Sequence, residues 1–230
     1  MIRFAIAVVA LTALAGSIVL AQDSTPKVQV FGGFSLLHQQ TGQLNGTNLD
    51  VFLHEPGGTF KPENNFEGWN AEVQYNADRW IGIVADFDGR YGTPFTASSI
   101  SQVSGLPDGT AYSFLAGPVI SYRKFKKITP FAHALFGVDR TTLKSSTING
   151  LPAPVTSASA NYTDFALAAG AGVDYKLTQH FALRLAQVDY FHTSVNLNKL
   201  YQSAFAPGLF EGPATHQRNL RVSAGVVFQF

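Results

Sequence analysis

The amino-acid sequence predicts an all-β fold: an eight-stranded antiparallel up-and-down barrel that crosses a membrane with its strands. Three observations carry this expectation. Eight segments alternate apolar and polar side chains with period two, each long enough to cross a bilayer as a tilted strand, which takes about ten residues. The connections between them alternate strictly between short and long. Past the first 21 residues, no apolar run approaches the length of a membrane helix, which is about 20 residues.

The first element is a targeting segment, residues 1–21. Arg3 gives it a positive start, and Phe4 to Leu20 is apolar apart from Thr12 and Ser17. Val19 and Ala21 occupy the −3 and −1 positions of a peptidase site, so cleavage is expected between Ala21 and Gln22. The mature barrel domain is then residues 22–230. A retained anchor is the competing reading, but this run is shorter than a spanning helix. Without Arg3, 15 basic residues face 15 acidic ones, and the exported chain is formally neutral.

The strands follow in order. Val28, Val30, Phe34 and Leu36 alternate with Gln29, Gly33 and Ser35. Trp69, Ala71, Val73 and Tyr75 alternate with Gly68, Asn70, Glu72 and Gln74. Ile81, Ile83, Ala85, Phe87 and Tyr91 alternate with Gly82, Asp86, Asp88 and Arg90. Tyr112, Phe114, Ala116, Ile120 and Tyr122 alternate with Ser113, Gly117, Ser121 and Arg123. Four more strands are expected over 129–141, 161–177, 180–192 and 217–230. The seventh breaks the alternation, because Leu183 and Leu185 share one parity while Val188 and Tyr190 share the other. A bulge near Ala186-Gln187 repairs it and sends Arg184, Gln187 and Asp189 to one face.

Short links are expected at Asn76-Ala77-Asp78-Arg79, Phe125-Lys126-Lys127-Ile128 and Leu177-Thr178-Gln179. Long ones cover 38–65, 92–110, 142–160 and 193–216, rich in Gly, Pro, Ser, Thr and Asn. Tight turns at one end and long loops at the other are the layout of an outer-membrane barrel. Composition agrees. Charged residues make up 13% of the chain, against about 25% in an average globular protein. That, with 46% apolar residues and no basic stripe, excludes a disordered chain and a nucleic-acid binder. The absence of cysteine excludes disulfides and thiolate metal sites.

Charge decides which face looks inward. One face carries Glu72, Asp86, Asp88, Arg90, Arg123, Asp139, Asp174, Lys176, Arg184, Asp189 and Arg221, and the other almost none. A strand-centre Arg or Lys facing lipid costs roughly 2–4 kcal/mol, so this face lines the lumen or, in a soluble barrel, meets water. Aromatic placement favours the membrane. Tyr75, Trp80, Tyr122, Tyr175, Phe181 and Phe228 gather near the short turns, and Trp69, Tyr91 and Tyr112 near the long loops. Two such bands match interfacial girdles. Six acidic and five basic inward groups read as a filled, paired lumen.

The last strand carries the most specific motif. Ser223-Ala224-Gly225-Val226-Val227-Phe228-Gln229-Phe230 places Gly225, Phe228 and Phe230 at the spacing of an outer-membrane assembly signal. On these residues the chain resembles the eight-stranded, OmpA-like outer-membrane barrel family, across essentially all of residues 22–230. The resemblance implies that the outer-membrane assembly machinery reads this strand. It also implies a partner environment of outer-membrane lipid and lipopolysaccharide in a Gram-negative-type bacterium. No peptidoglycan-binding domain of the larger members is expected, because the sequence ends at the barrel.

The expected role is structural or surface-interacting in a monomer, with no cofactor, no metal and no nucleic-acid partner. The main alternative is a narrow gated channel for small solutes. Surface ligands would meet the loops, where Leu49 to Leu53, Tyr201, Phe205, Leu209 and Phe210 form apolar groups. These groups could equally pack on one another. The six histidines, His38, His54, His133, His180, His192 and His216, include no closely spaced pair of the kind a metal site uses. An enzymatic alternative is a PagL-like lipid A deacylase, a barrel with His and Ser two apart on a late strand, then Asn, and a downstream Glu. Here His192, Ser194, Asn196 and Glu211 approach that pattern, but Val195 separates Ser194 from Asn196. The expectation is therefore no catalytic site.

Overall fold

The computed structural model describes residues 25–40, 59–62, 65–92, 95–98, 108–145, 158–193 and 217–230. The targeting segment and most of the long connections lie outside the described residues. Among the described residues there are ten strands: β1 (Val28–Gln40), β2 (Thr59–Pro62), β3 (Asn65–Asn76), β4 (Ile81–Gly92), β5 (Phe95–Ser98), β6 (Asp108–Ser121), β7 (Ile128–Ser145), β8 (Ala158–Lys176), β9 (Phe181–Thr193) and β10 (Gln217–Gln229). Eight of them close into an antiparallel barrel in the order β1-β10-β9-β8-β7-β6-β4-β3. Every pair along the chain is a neighbour, and β1 joins β10 to remove the edge. Closure matters in lipid, where an unpaired strand edge has no water to satisfy it.

Two features depart from the expected layout. β2 and β5, taken from the first and second long connections, pair with each other outside the barrel, with Thr59 opposite Ser98 and Pro62 opposite Phe95. The β7–β8 hairpin also runs past its expected ends, with 18 and 19 residues per strand, from Ser145 opposite Ala158 down to Ile128 opposite Tyr175. The Thr- and Ser-rich composition there permits continued pairing beyond the apolar band.

Side-chain direction follows parity. In β3 and β4, Glu72, Gln74, Asn76, Val84, Asp86 and Asp88 are buried, while Val73, Tyr75, Ile81, Ile83 and Phe87 are exposed on the outer wall. The expected bulge is in β9. Ser223 of β10 opposes Gln187 and Gly225 opposes Arg184, so Leu185 and Ala186 together span one position of β10. Both point outward, and Arg184, Gln187 and Asp189 all turn inward. The bulge thus sits one residue earlier than the parity break suggests.

Glycines make room at two places. At the closing seam Gly33 faces Gly225. A Cβ on Gly225 would lie 2.5 Å from Gly33 Cα, so the two backbones approach too closely for any side chain. In β8, a Cβ on Gly170 would collide with the Asp189 carboxylate, and one on Gly172 would lie 2.5 Å from the Phe131 ring.

The two aromatic bands appear on the outer wall. Trp80, Tyr122 and Phe125 pack in sequence near the short turns in tilted and edge-on contacts, at 5.2 and 5.4 Å between ring centroids, and Phe181 meets Phe228 at 4.9 Å. At the long-loop end Tyr91 and Tyr112 meet edge to face, their hydroxyls 3.3 Å apart, and Trp69 Nε1 donates to Tyr91 Oη at 3.3 Å.

Candidate functional site

The barrel interior holds one continuous ionic network. Arg221, fully buried on β10, is at its centre. Its Nη1 lies 2.9 Å from Asp86 and 3.2 Å from Asp88 on β4, and its Nη2 lies 2.8 Å from Asp189 on β9. Nε also donates to Asp189 Oδ2 at 2.9 Å. Towards the long loops, Asp88 continues to Arg90 at 3.0 Å, and Arg90 to Asp139 at 2.6 Å. Towards the short turns, Arg184 reaches Glu72 at 2.6 Å and Asp174 at 2.9 Å. Gln187 links the two halves, donating Nε2 to Glu72 at 2.8 Å and to Asp189 at 3.0 Å. Asn70 donates to Asp86, and Ser113 to Asp88, each at 2.9 Å.

Aromatic rings fill the gaps between these groups. The Arg184 guanidinium lies between Phe31 and Phe131, 4.3 Å from each ring centroid. Arg90 and Arg221 sit over Phe191, at 4.6 and 5.6 Å. Desolvated cations gain most from such faces. Apolar side chains, among them Leu37, Val84, Leu115, Val119 and Leu135, complete the packing.

Nine of the eleven expected lumen residues join this network. Arg123 and Lys176 do not, because both stand at the short-turn mouth rather than in the barrel centre. Arg123 instead bonds amide and carbonyl oxygens, Asn76 Oδ1 at 3.1 Å and Arg79 O at 3.0 Å. No ion pair of Arg123 or Lys176 is found among the described residues. The network therefore contains six carboxylates and three arginines, with His133 Nε2 2.8 Å from Asp189 Oδ1. The ion-paired centre is thus richer in acidic side chains than the eleven inward groups taken together.

Phe31, Phe131 and Phe191 were not singled out in the sequence as lumen residues. Their parity carries the signal: Phe31 lies between Gln29 and Gly33, and Phe131 and Phe191 lie two residues from His133 and Asp189.

The chemistry available to this interior is limited. His133 and Asp189 form a His–carboxylate pair, but their side chains are 1% and 0% exposed. Among the described residues, no group of three or more His, Asp or Glu side chains is arranged to hold a metal ion. His192 is half-buried near the end of β9, with its backbone opposite Leu167 and Arg218. Ser194, Val195, Asn196 and Glu211 lie outside the described residues, as do Ala21, Gln22 and the apolar loop groups. Of the assembly motif, Ser223 is buried, Gly225 stands at the seam, and Phe228 and Phe230 face outward.

The model of the outer membrane protein beta-barrel domain matches residues 6–228. The chain belongs to this outer-membrane barrel family. Its likeness to solved structures is one of fold. The attachment invasion locus protein Ail of Yersinia pestis is 16% identical, with a TM-score of 0.50, over 89% of this chain and 99% of that one. Neisserial surface protein A is 13% identical, with a TM-score of 0.46, over 87% and 97%. The N-terminal barrel of Pseudomonas aeruginosa OprF is 11% identical, with a TM-score of 0.41, over 89% and 98%. No curated protein matches the chain by sequence. For an outer-membrane barrel the place of action is the outer membrane, and the two aromatic bands mark where its wall meets the headgroups.

Proposed function

We propose that this outer-membrane barrel has a structural or surface-interaction role, with a lumen closed to solutes and no catalytic step. The observation that carries the reading is the Arg221 cluster, whose four ionic side chains at the barrel centre are at most 1% exposed. An eight-stranded barrel is just wide enough for side chains to fill, and here they are interlocked by ion pairs. What the protein exchanges with its surroundings then passes through its long loops and its outer wall, towards lipid, lipopolysaccharide or a surface ligand.

The test is single-channel recording in planar bilayers. A closed lumen gives no steady current, whereas discrete openings would establish the narrow-channel alternative. Replacing Ser194 with Ala and assaying lipid A acylation tests the deacylase reading, and an unchanged pattern supports the non-catalytic role. Two further parts belong to the same proposal. The chain is exported by a signal peptide cleaved before Gln22, which N-terminal sequencing of the membrane-extracted protein checks. It functions as a monomer, which light scattering in detergent checks.

A further inference from the structure

The short-turn rim of the barrel carries an arc of cations that neither the lumen nor the loops account for. Six exposed or half-buried side chains form it: Lys27, Arg79, Lys124, Lys126, Lys127 and Lys176. Backbone contacts hold them in sequence around the rim. Asn76 N donates to Lys27 O at 2.9 Å, Ser121 N to Trp80 O at 2.7 Å, and Lys176 N to Lys127 O at 2.7 Å. Arg123 crosses from the β6–β7 turn to Arg79 O. Among the described residues the one exposed side-chain carboxylate at this end is Asp78, and its Oδ1 accepts from the Trp80 and Ile81 N–H groups at 2.6 and 2.8 Å. Asp78 offsets one of these charges, lying beside Arg79, and none of the six forms an ion pair among the described residues.

Their position on the wall identifies the partner. Lys124 Nζ is 5.7 Å from the ring centroids of both Trp80 and Tyr122, and Arg79 Cζ is 5.5 Å from Trp80. Phe125, in the same turn, is 58% exposed and packs on Tyr122. Cations thus stand directly above an aromatic band that faces acyl chains. A partner covering both must present negative charge joined to hydrocarbon. An acidic protein or a free anion could meet the cations but would leave the rings to another occupant.

We infer that this rim binds the phosphate headgroups of anionic phospholipid in the leaflet on the short-turn side, with Arg79, Lys124, Lys126 and Lys127 as the principal contacts. Juxtamembrane cations attract anionic headgroups additively over distances within a Debye length.

The two tryptophans of the chain, one in each band, allow a direct test. The Trp69→Phe protein, with Trp80 as its one reporter, is reconstituted in vesicles of four parts phosphatidylcholine to one part phosphatidylglycerol. Bromine is placed on the acyl chains of one lipid or the other. Per mole of brominated lipid, phosphatidylglycerol should quench Trp80 about threefold more than phosphatidylcholine. The Trp80→Phe protein, reporting from Trp69, should show no such preference. The exposed-lysine variant K124Q/K126Q/K127Q, built with Trp69→Phe, should lose most of the excess while keeping its folded gel mobility. Lipid carried into native mass spectrometry from the same vesicles provides a second readout of headgroup preference. Equal quenching by the two lipids, or an excess that survives the lysine substitutions, would overturn the proposal. So would an excess abolished by inorganic phosphate at constant ionic strength, which would make the rim a site for free anions.

Discussion

Arg184 and Arg221 are where single side chains matter most. Each is a buried guanidinium held by two or more carboxylates. Removing one partner of a buried pair costs about 3–5 kcal/mol, because the remaining charges stay desolvated. Arg184→Ala should therefore lower the urea unfolding midpoint in lipid by an amount of that order, without opening a large pore, since Phe31 and Phe131 still fill the space. Arg184→Lys should recover part of the loss, because it restores the charge but not the planar fork that spans Glu72 and Asp174. An unchanged midpoint in Arg184→Ala would place this residue in water. A smaller effect is expected at Asp78. The N–H groups of Trp80 and Ile81 hold its carboxyl below the ordinary value of 3.8. The contribution of the ionised group to the turn is thus present above that value and lost as pH falls through the lowered one. Asp78→Asn keeps an acceptor but does not titrate. The midpoint difference between the natural protein and this variant should be constant above about pH 5 and change below about pH 4.

β9 and β10 are the elements in which sequence and structure are most informative about each other. The parity break between Leu185 and Val188 announces a bulge, because keeping Arg184, Gln187 and Asp189 together requires one extra residue. The lumen phenylalanines were harder to read. Their apolar character matches the outer wall, and only the neighbouring polar residues of the same parity betray their direction. The β2–β5 ribbon has no period-two run of useful length, and its pairing spans two separate connections, so local pattern carried no sign of it. Two element-level predictions follow from the register. Deleting Ala186 removes the extra residue and leaves Leu185 alone to span that position of β10, with Arg184, Gln187 and Asp189 all still inward, so the heat-modifiable gel shift of the folded barrel should be kept. Deleting Val188 instead sets Gln187 and Asp189 on opposite faces, one of them towards lipid, and the shift should then be lost. Replacing Phe228 and Phe230 together with Ser should deplete the protein from outer-membrane fractions, if the last strand is the assembly signal. Substitutions in the third long connection, such as Ser157→Ala, should not. Normal levels at folded mobility for the double variant would refute the signal. Gly225 is not a clean test of it, because the closing seam requires a glycine there on packing grounds alone.

For the whole molecule, the outer wall and closed barrel were legible in the sequence because one rule, alternation, was repeated eight times. The composition of the lumen was legible too, but its connectivity was not. Which carboxylate meets which guanidinium depends on the stagger between strands far apart in the chain, as with Arg184 and Glu72, 112 residues apart. The orientation of the barrel gives a prediction at this scale. Trypsin added to intact cells should spare Arg79, Lys124, Lys126 and Lys127 in the short turns and cut at Lys199 in the fourth long connection. Permeabilised cells should expose both sets. Mass spectrometry of the fragments checks this, and cleavage at Lys124 in intact cells would reverse the assigned topology.

The unequal strand lengths have a consequence for shape. At about 3.4 Å per residue and a tilt near 40°, β7 and β8 rise about 47 and about 49 Å, whereas a 13-residue strand such as β1 rises about 34 Å. β7 stands opposite β1 in the ring. Among the described residues the hydrogen-bonded wall is therefore taller on the β7–β8 side, by roughly 13 Å. A neighbour in the plane of the membrane meets a tall face of this wall on one side and a short one on the other, so the wall has a front and a back.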